Sequence, residues 1–141
     1  MIDLEKFTVE TEIIVPFHDL DSVNVVWHGR YVKYLEIARC ELLDRINYSY
    51  TEMLASGYLW PVVDMRIKYI SPLVWKQKIK VIAAIKEWEY RLKLDYRILD
   101  ASTRETVSKA YTIQVACDIN TKEMLYETPS PLRRALGIET I

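Results

Sequence analysis

A single long helical stripe, followed by strand-like text that runs almost to the end of the chain, constrains this sequence more than any other feature. Between Tyr31 and Ile46, apolar residues fall at Tyr31, Leu35, Ala38, Leu42 and Ile46, with Tyr34, Ile37 and Leu43 widening the stripe. Spacings of three and four describe a helix with a broad buried face. Lys33, Arg39, Glu41 and Asp44 take the other side. From Tyr58 onward the segments WPVVDMRIKYI, KIKVIAAIKEWEY, RLKLDYRILD and ETVSKAYTIQVACDI read as strands, separated only by short breaks. Such breaks cannot carry parallel crossovers, so an antiparallel meander is expected. One strand should precede the helix, over FTVETEIIVPF, and a last short one should follow a turn at Asn120–Lys122. YSYTEMLASG offers Ser49 or Thr51 as the cap and Gly57 as the stop of a short second helix. A lone helix with so wide an apolar face needs a sheet curled around it. The expectation is an α+β chain, one domain over residues 1–141, with the long helix wrapped by a curved antiparallel sheet of about five to six strands.

Composition narrows the function. Nineteen basic against twenty acidic residues leave a net charge of −1, which gives no overall reason to expect nucleic acid or an anionic membrane as partner. Cys40 and Cys117 lie far apart without CxxC spacing, so they read as reduced, buried thiols. The N-terminus has no apolar core of signal-peptide length and no later window is apolar over the ~20 residues of a membrane span. A cytoplasmic protein is expected. An open sheet has edges, and pairing with a second copy covers one, so a homodimer is expected, with a homotetramer also open. The alternative is a monomer whose edge is guarded by charge, a part that KQKIK could play.

The loop before the helix, within FHDLDSVNVVWHGRYVKYLEIAR, holds both histidines of the chain and two aspartates. A metal site is disfavoured: the spacing of strong zinc motifs is missing, and His18 and Asp19 would point to opposite faces of an extended strand end. A strand-to-helix turn offers more. The first turn of a helix presents free N–H groups and the positive end of the dipole, where a carbonyl can become an oxyanion. With the helix starting near Trp27 or His28, Asp21 sits close to that electrophile, able to act as nucleophile or as general base for water. His28 can donate a hydrogen bond or shuttle a proton. On spacing alone, Asp21 reads as an ordinary turn or capping residue.

The segment DLDSVNVVWHGRYVKYLEIAR resembles the signature of the hotdog-fold acyl-CoA thioesterases of the 4-hydroxybenzoyl-CoA thioesterase type, including the Tol-Pal-associated branch. Asp19 and Asp21 match its D-x-D, Val25 to His28 the run that follows, and Tyr31 with Glu36 to Arg39 a Tyr-containing helix reading E-x-A-R. Tyr69 and Pro72 fit its Y-x-x-P strand junction, and Pro129 and Leu132 its closing Pro-x-x-Leu. The resemblance implies the hotdog fold and hydrolysis of an acyl-CoA, or of an acyl carrier protein thioester, at the interface of a homo-oligomer and without metal or redox cofactor. It also implies Asp21 as the catalytic carboxylate, His28 as its histidine and the backbone amide near Trp27 as carbonyl polariser; His18 and Asp19 become scaffolding. Phe17, Asn24, Tyr31 and Trp60 are the expected substrate contacts. Two positions depart from the pattern: Phe17 stands where several members have Tyr, and Asn24 where most have Gly. Asn tolerates the left-handed region best after Gly, so the turn should survive. Trp60, like Tyr58, Trp75 and Trp88, also reads as ordinary strand packing. A non-hydrolytic acyl-thioester-binding module and a dehydratase are the rival functions.

Overall fold

A computed structural model describes residues 3–139. After a short 3-10 turn come strand β1 (Thr8–Ile14), helices α1 (Tyr31–Arg45) and α2 (Tyr50–Ala55), and the two-residue strand β2 (Tyr58–Leu59). Four long strands follow, β3 (Val62–Tyr69), β4 (Lys78–Glu87), β5 (Leu92–Asp100) and β6 (Thr106–Gln114), then β7 (Cys117–Asp118) and helix α3 (Ser130–Ala135). The main sheet is antiparallel with five strands in the order β1-β4-β5-β6-β3, and β2 pairs with β7 beside it.

Strand alternation explains how α1 is held. Ile79, Val81, Ala83 and Ile85 of β4 and Leu92, Leu94, Tyr96 and Ile98 of β5 are buried toward the helix, and their neighbours in sequence face away. Against them α1 buries Tyr31, Tyr34, Leu35, Ala38, Leu42 and Leu43, most of the predicted stripe. Ile37 is an exception, left exposed. Arg39 is the converse: expected on the polar side, it is buried, its Nε donating to Tyr50 Oη at 2.9 Å. The broad helix face carries the guanidinium into the core, where phenols of Tyr50 and Tyr96 meet its charge. Ser49 caps α2 through a reciprocal capping box with Glu52, and Gly57 ends that turn at φ +96°.

The expected burial of the two thiols does not hold, since Cys40 is exposed and Cys117 only half-buried, and three expectations of the sheet change. Strands β4, β5 and β6 form the meander, but β3 pairs with β6 at the far edge instead of with β4. Residues 70–77 make this possible, because a connection that long spans ~25 Å extended, enough to cross the sheet. KQKIK therefore does not guard an edge: Lys78 and Lys80 lie on β4, between β1 and β5. The turn at Asn120–Lys122 leads only to a single bridge between Cys117 and Met124, and β7 spends its pairing on β2. The sheet edges are β1 and β3, and β3 exposes Val62 and Val63.

Candidate active site

The loop from Val15 to Arg30 is built on two aspartates. Asp19 is fully buried: Lys33 Nζ donates to Oδ1 at 2.6 Å and to Oδ2 at 2.5 Å, and Tyr34 Oη donates to Oδ2 at 2.7 Å. Burial alone would raise the Asp19 pKa, but these hydrogen bonds and the Lys33 charge outweigh it and hold the carboxyl below its ordinary value. The Asp19 carbonyl accepts from Trp27 N at 3.0 Å, pinning the far end of the loop. Between these two points the chain doubles back. A bridge joins Leu20 to Val26, Asp21 N donates to Val25 O at 2.8 Å, and Asn24, at φ +65°, makes the tight bend as its residue type predicts.

Asp21 is treated differently. Its Oδ1 accepts from Val23 N at 2.9 Å, and more weakly from Val25 N at 3.5 Å, an Asx turn that locks the side chain. Its Oδ2 has no hydrogen-bond partner among the described residues. The half-buried carboxylate lines a cleft of about 340 Å3, with His28 and Tyr31 on the same side and residues 69–72 opposite. Val26 N donates to Leu73 O at 2.8 Å, tying the loop to that second wall.

The helix start departs from expectation in one respect. The Trp27 amide, the predicted carbonyl polariser, is committed to Asp19 O. The next two amides, of His28 and Gly29, open the 3-10 turn His28–Arg30 that runs into α1, and neither has a backbone acceptor among the described residues. The free donors thus sit one and two residues later, because Arg30 N bonds back to Trp27 O and the turn begins there. A Cβ at Gly29 would lie 2.5 Å from the exposed Trp27 ring, which would have to shift to admit it.

Of the other predicted contacts, Tyr31 lines the cleft, its ring edge-on to Tyr69 at 4.8 Å, and burial raises the Tyr31 phenol pKa. Phe17 does not reach the cleft of this chain; it is exposed, packed edge-on against Trp75 at 5.3 Å. Trp60 is a core residue, its indole N–H donating to Tyr48 Oη at 3.2 Å. Tyr69 is the residue that site reasoning missed. Its hydroxyl donates to the His28 carbonyl at 2.7 Å across 41 positions of sequence. The Y-x-x-P likeness marked this segment as a strand junction, and only that signal pointed to it. No three His, Cys, Asp or Glu side chains gather as potential metal ligands among the described residues.

A long helix wrapped by a five-stranded antiparallel sheet is the hotdog arrangement. The chain superposes on Slr0204, a 1,4-dihydroxy-2-naphthoyl-CoA thioesterase from Synechocystis, with a TM-score of 0.83 at 21% identity, covering 92% of this chain and 96% of that one. Residues 15–136 match the family model of the thioesterase-like superfamily, and the chain belongs to that family. YneP of Bacillus subtilis is 31% identical over 77 residues, 55% of this chain and 56% of that protein. The acyl-CoA thioester hydrolase YbgC of Escherichia coli is 33% identical over 58 residues, 41% of this chain and 43% of that protein. The chain thus spans less than two thirds of the length of either.

Proposed function

We propose that this protein is a thioester hydrolase of the 4-hydroxybenzoyl-CoA thioesterase type, acting on an acyl-CoA, with an acyl carrier protein thioester as the alternative substrate. One observation carries the reading. Asp21, locked through Oδ1 and with no partner on Oδ2, lines a cleft together with His28, whose amide and that of Gly29 next to it have no backbone acceptor among the described residues. Those amides, at the positive end of α1, polarise the thioester carbonyl and take up charge as it becomes an oxyanion. Asp21 then acts in one of two ways. As nucleophile, Oδ2 bonds to the carbonyl carbon, the C–S bond breaks, the thiolate leaves and takes a proton, and water cleaves the resulting anhydride. As general base, it accepts a proton from the water that attacks instead. His28 lines the same cleft, and in this reading it gives the departing thiolate its proton.

Several parts of the reading stand with it. Tyr31 is its substrate contact from this chain, Phe17 reaches substrate only from a second copy, and Trp60 shapes the core beneath. The exposed, unpaired β3 edge, which ends in the cleft wall at Tyr69, supports a homodimer that completes the cleft. No helix among the described residues is long and apolar enough to cross a membrane, and cytoplasmic CoA thioesters are the proposed substrates. Turnover requires no metal or redox cofactor and should survive chelation.

The test is Asp21→Asn, which keeps the Oδ1 acceptor and so the turn. Release of free thiol from short, long and aromatic acyl-CoA esters, and from acyl carrier protein, should fall by roughly a thousandfold with folding unchanged. Undiminished release removes Asp21 from the mechanism. Tight binding of the esters with no thiol release by the unaltered protein identifies a binding module instead.

A further inference from the structure

The sheet has a second hollow, larger than the cleft, on the face turned away from α1. It measures about 600 Å3, within the roughly 300–1,000 Å3 of small-molecule sites. Its floor is short and apolar, formed by Ile82 and Ala84 of β4, with the Tyr111 ring beside them. Its walls are six cations drawn from four strands, against a single acid, Asp95. Strand register sets three of those cations in one row: Lys68 of β3 stands directly across from Lys109 of β6, and Lys109 directly across from Arg97 of β5. Like charges opposite one another destabilise a sheet. None of the three, nor Arg66 nor Lys86, makes an ion pair among the described residues. In a chain of net charge −1, this is a local concentration of unanswered positive charge. A second copy packed with this row on the two-fold axis would set cation row against cation row.

We propose that this hollow binds a nucleoside polyphosphate, its phosphates along Lys68, Lys109 and Arg97 and its sugar and base over Ile82, Ala84 and Tyr111. Cross-strand neighbours stand about 5 Å apart, so the row is about 10 Å long, the scale of a short phosphate chain. The planar guanidinium groups of Arg97 and Arg66 suit two-point contact with phosphate oxygens. Asp95, in the neighbouring row between Tyr111 and Ala84, is an acceptor for a sugar hydroxyl. The chemistry has two sources. One is the nucleotide end of a CoA thioester, reached along β3, which carries Lys68 into the hollow and Tyr69 into the cleft; this source rests on the thioesterase reading. The other is a free nucleotide acting on the protein from the far side of the sheet.

Calorimetric titration with ADP, ATP and CoA, beside inorganic triphosphate, tests the site without any activity. The nucleotides should bind, more weakly as salt rises, and the combined variant Lys68→Gln, Arg97→Gln, Lys109→Gln should weaken them by roughly tenfold or more. The variant's melting temperature should hold or rise, since it relieves like-charge contacts. No binding at millimolar nucleotide, undiminished binding by the variant, inorganic triphosphate binding as tightly as ATP, or acyl carrier protein binding where nucleotides fail would each overturn the proposal. Thiol release separates the sources. A KM raised for a CoA ester relative to an N-acetylcysteamine ester of the same acid assigns the CoA end; an unchanged ratio, with ATP altering the rate only when the row is intact, assigns a free nucleotide. Nucleotide binding with no thiol release from any ester sinks the thioesterase reading and leaves the free-nucleotide site standing.

Discussion

Asp19 and Asp21 stand two positions apart in one loop, and the fold gives them opposite surroundings. Asp19 is sealed in by Lys33, Tyr34 and the turn above it, with both oxygens answered by donors. Asp21 has one oxygen held by its own turn and the other left facing a cleft. A carboxylate with both oxygens held by donors organises a loop, and one with an unengaged oxygen at a cleft is available for chemistry. The difference is in accessibility and partners, since the two residues are chemically identical.

Substitutions at four positions probe that contrast. The largest expected effect belongs to Asp21→Asn, the roughly thousandfold loss of thiol release set out above, or about 4 kcal/mol of barrier; equal loss of stability would mean that Asp21 is structural like its neighbour. Asp19→Ala should do the reverse and destabilise the fold by about 3 kcal/mol in denaturant unfolding, because it strands a buried phenol and an ammonium. An acid titration sharpens this. The folded Asp19 pKa lies below its unfolded value of about 3.9, so its contribution is complete above that value and lost as pH falls through it toward the folded pKa. Asp19→Asn should accordingly flatten the decline of melting temperature below about pH 5; an unchanged acid limb would mean that the ion pair adds no stability.

Tyr69→Phe comes next. It removes the hydroxyl that holds the His28 carbonyl, and should lower kcat by about tenfold with KM little changed, at about 1 kcal/mol of stability. A KM effect alone would instead make Tyr69 a substrate contact. The smallest effect is expected for Asn24→Gly, within about 0.5 kcal/mol, because Gly adopts the observed positive φ freely. Asn24→Val should cost about 1–2 kcal/mol at the same position. If both are neutral in unfolding experiments, the bend at Asn24 is not what positions Asp21.

Much of this was legible beforehand because it is local. The stripe from Tyr31 to Leu43, the capping of α2 by Ser49 and the left-handed bend at Asn24 each follow from spacing or residue type within a few positions. Asp21 and His28 do share a cleft, as the loop's likeness to thioesterases implied. The Trp27 amide, expected to be free at the helix start, instead bonds to Asp19 O, eight residues back, a contact no periodicity encodes. Trp60 was placed at the substrate on its aromatic character alone, and its indole proved to be engaged with Tyr48 in the core.

By itself, then, the sequence determined the long helix, the capped second helix and the strands of the main sheet, most of the apolar face of each, and which turn bears the paired aspartates. These depend on periodicity and on residue-level φ, ψ preference, which act over a few residues. Tertiary structure alone decided that β3 lies against β6, that Tyr69 meets His28, that Arg39 is buried, and that Lys68, Lys109 and Arg97 share a row. Alternation tells a strand which way its side chains point, but not which strand lies beside it or in what register. Those choices are settled by packing the whole sheet around α1, and they bring together residues that sequence keeps far apart.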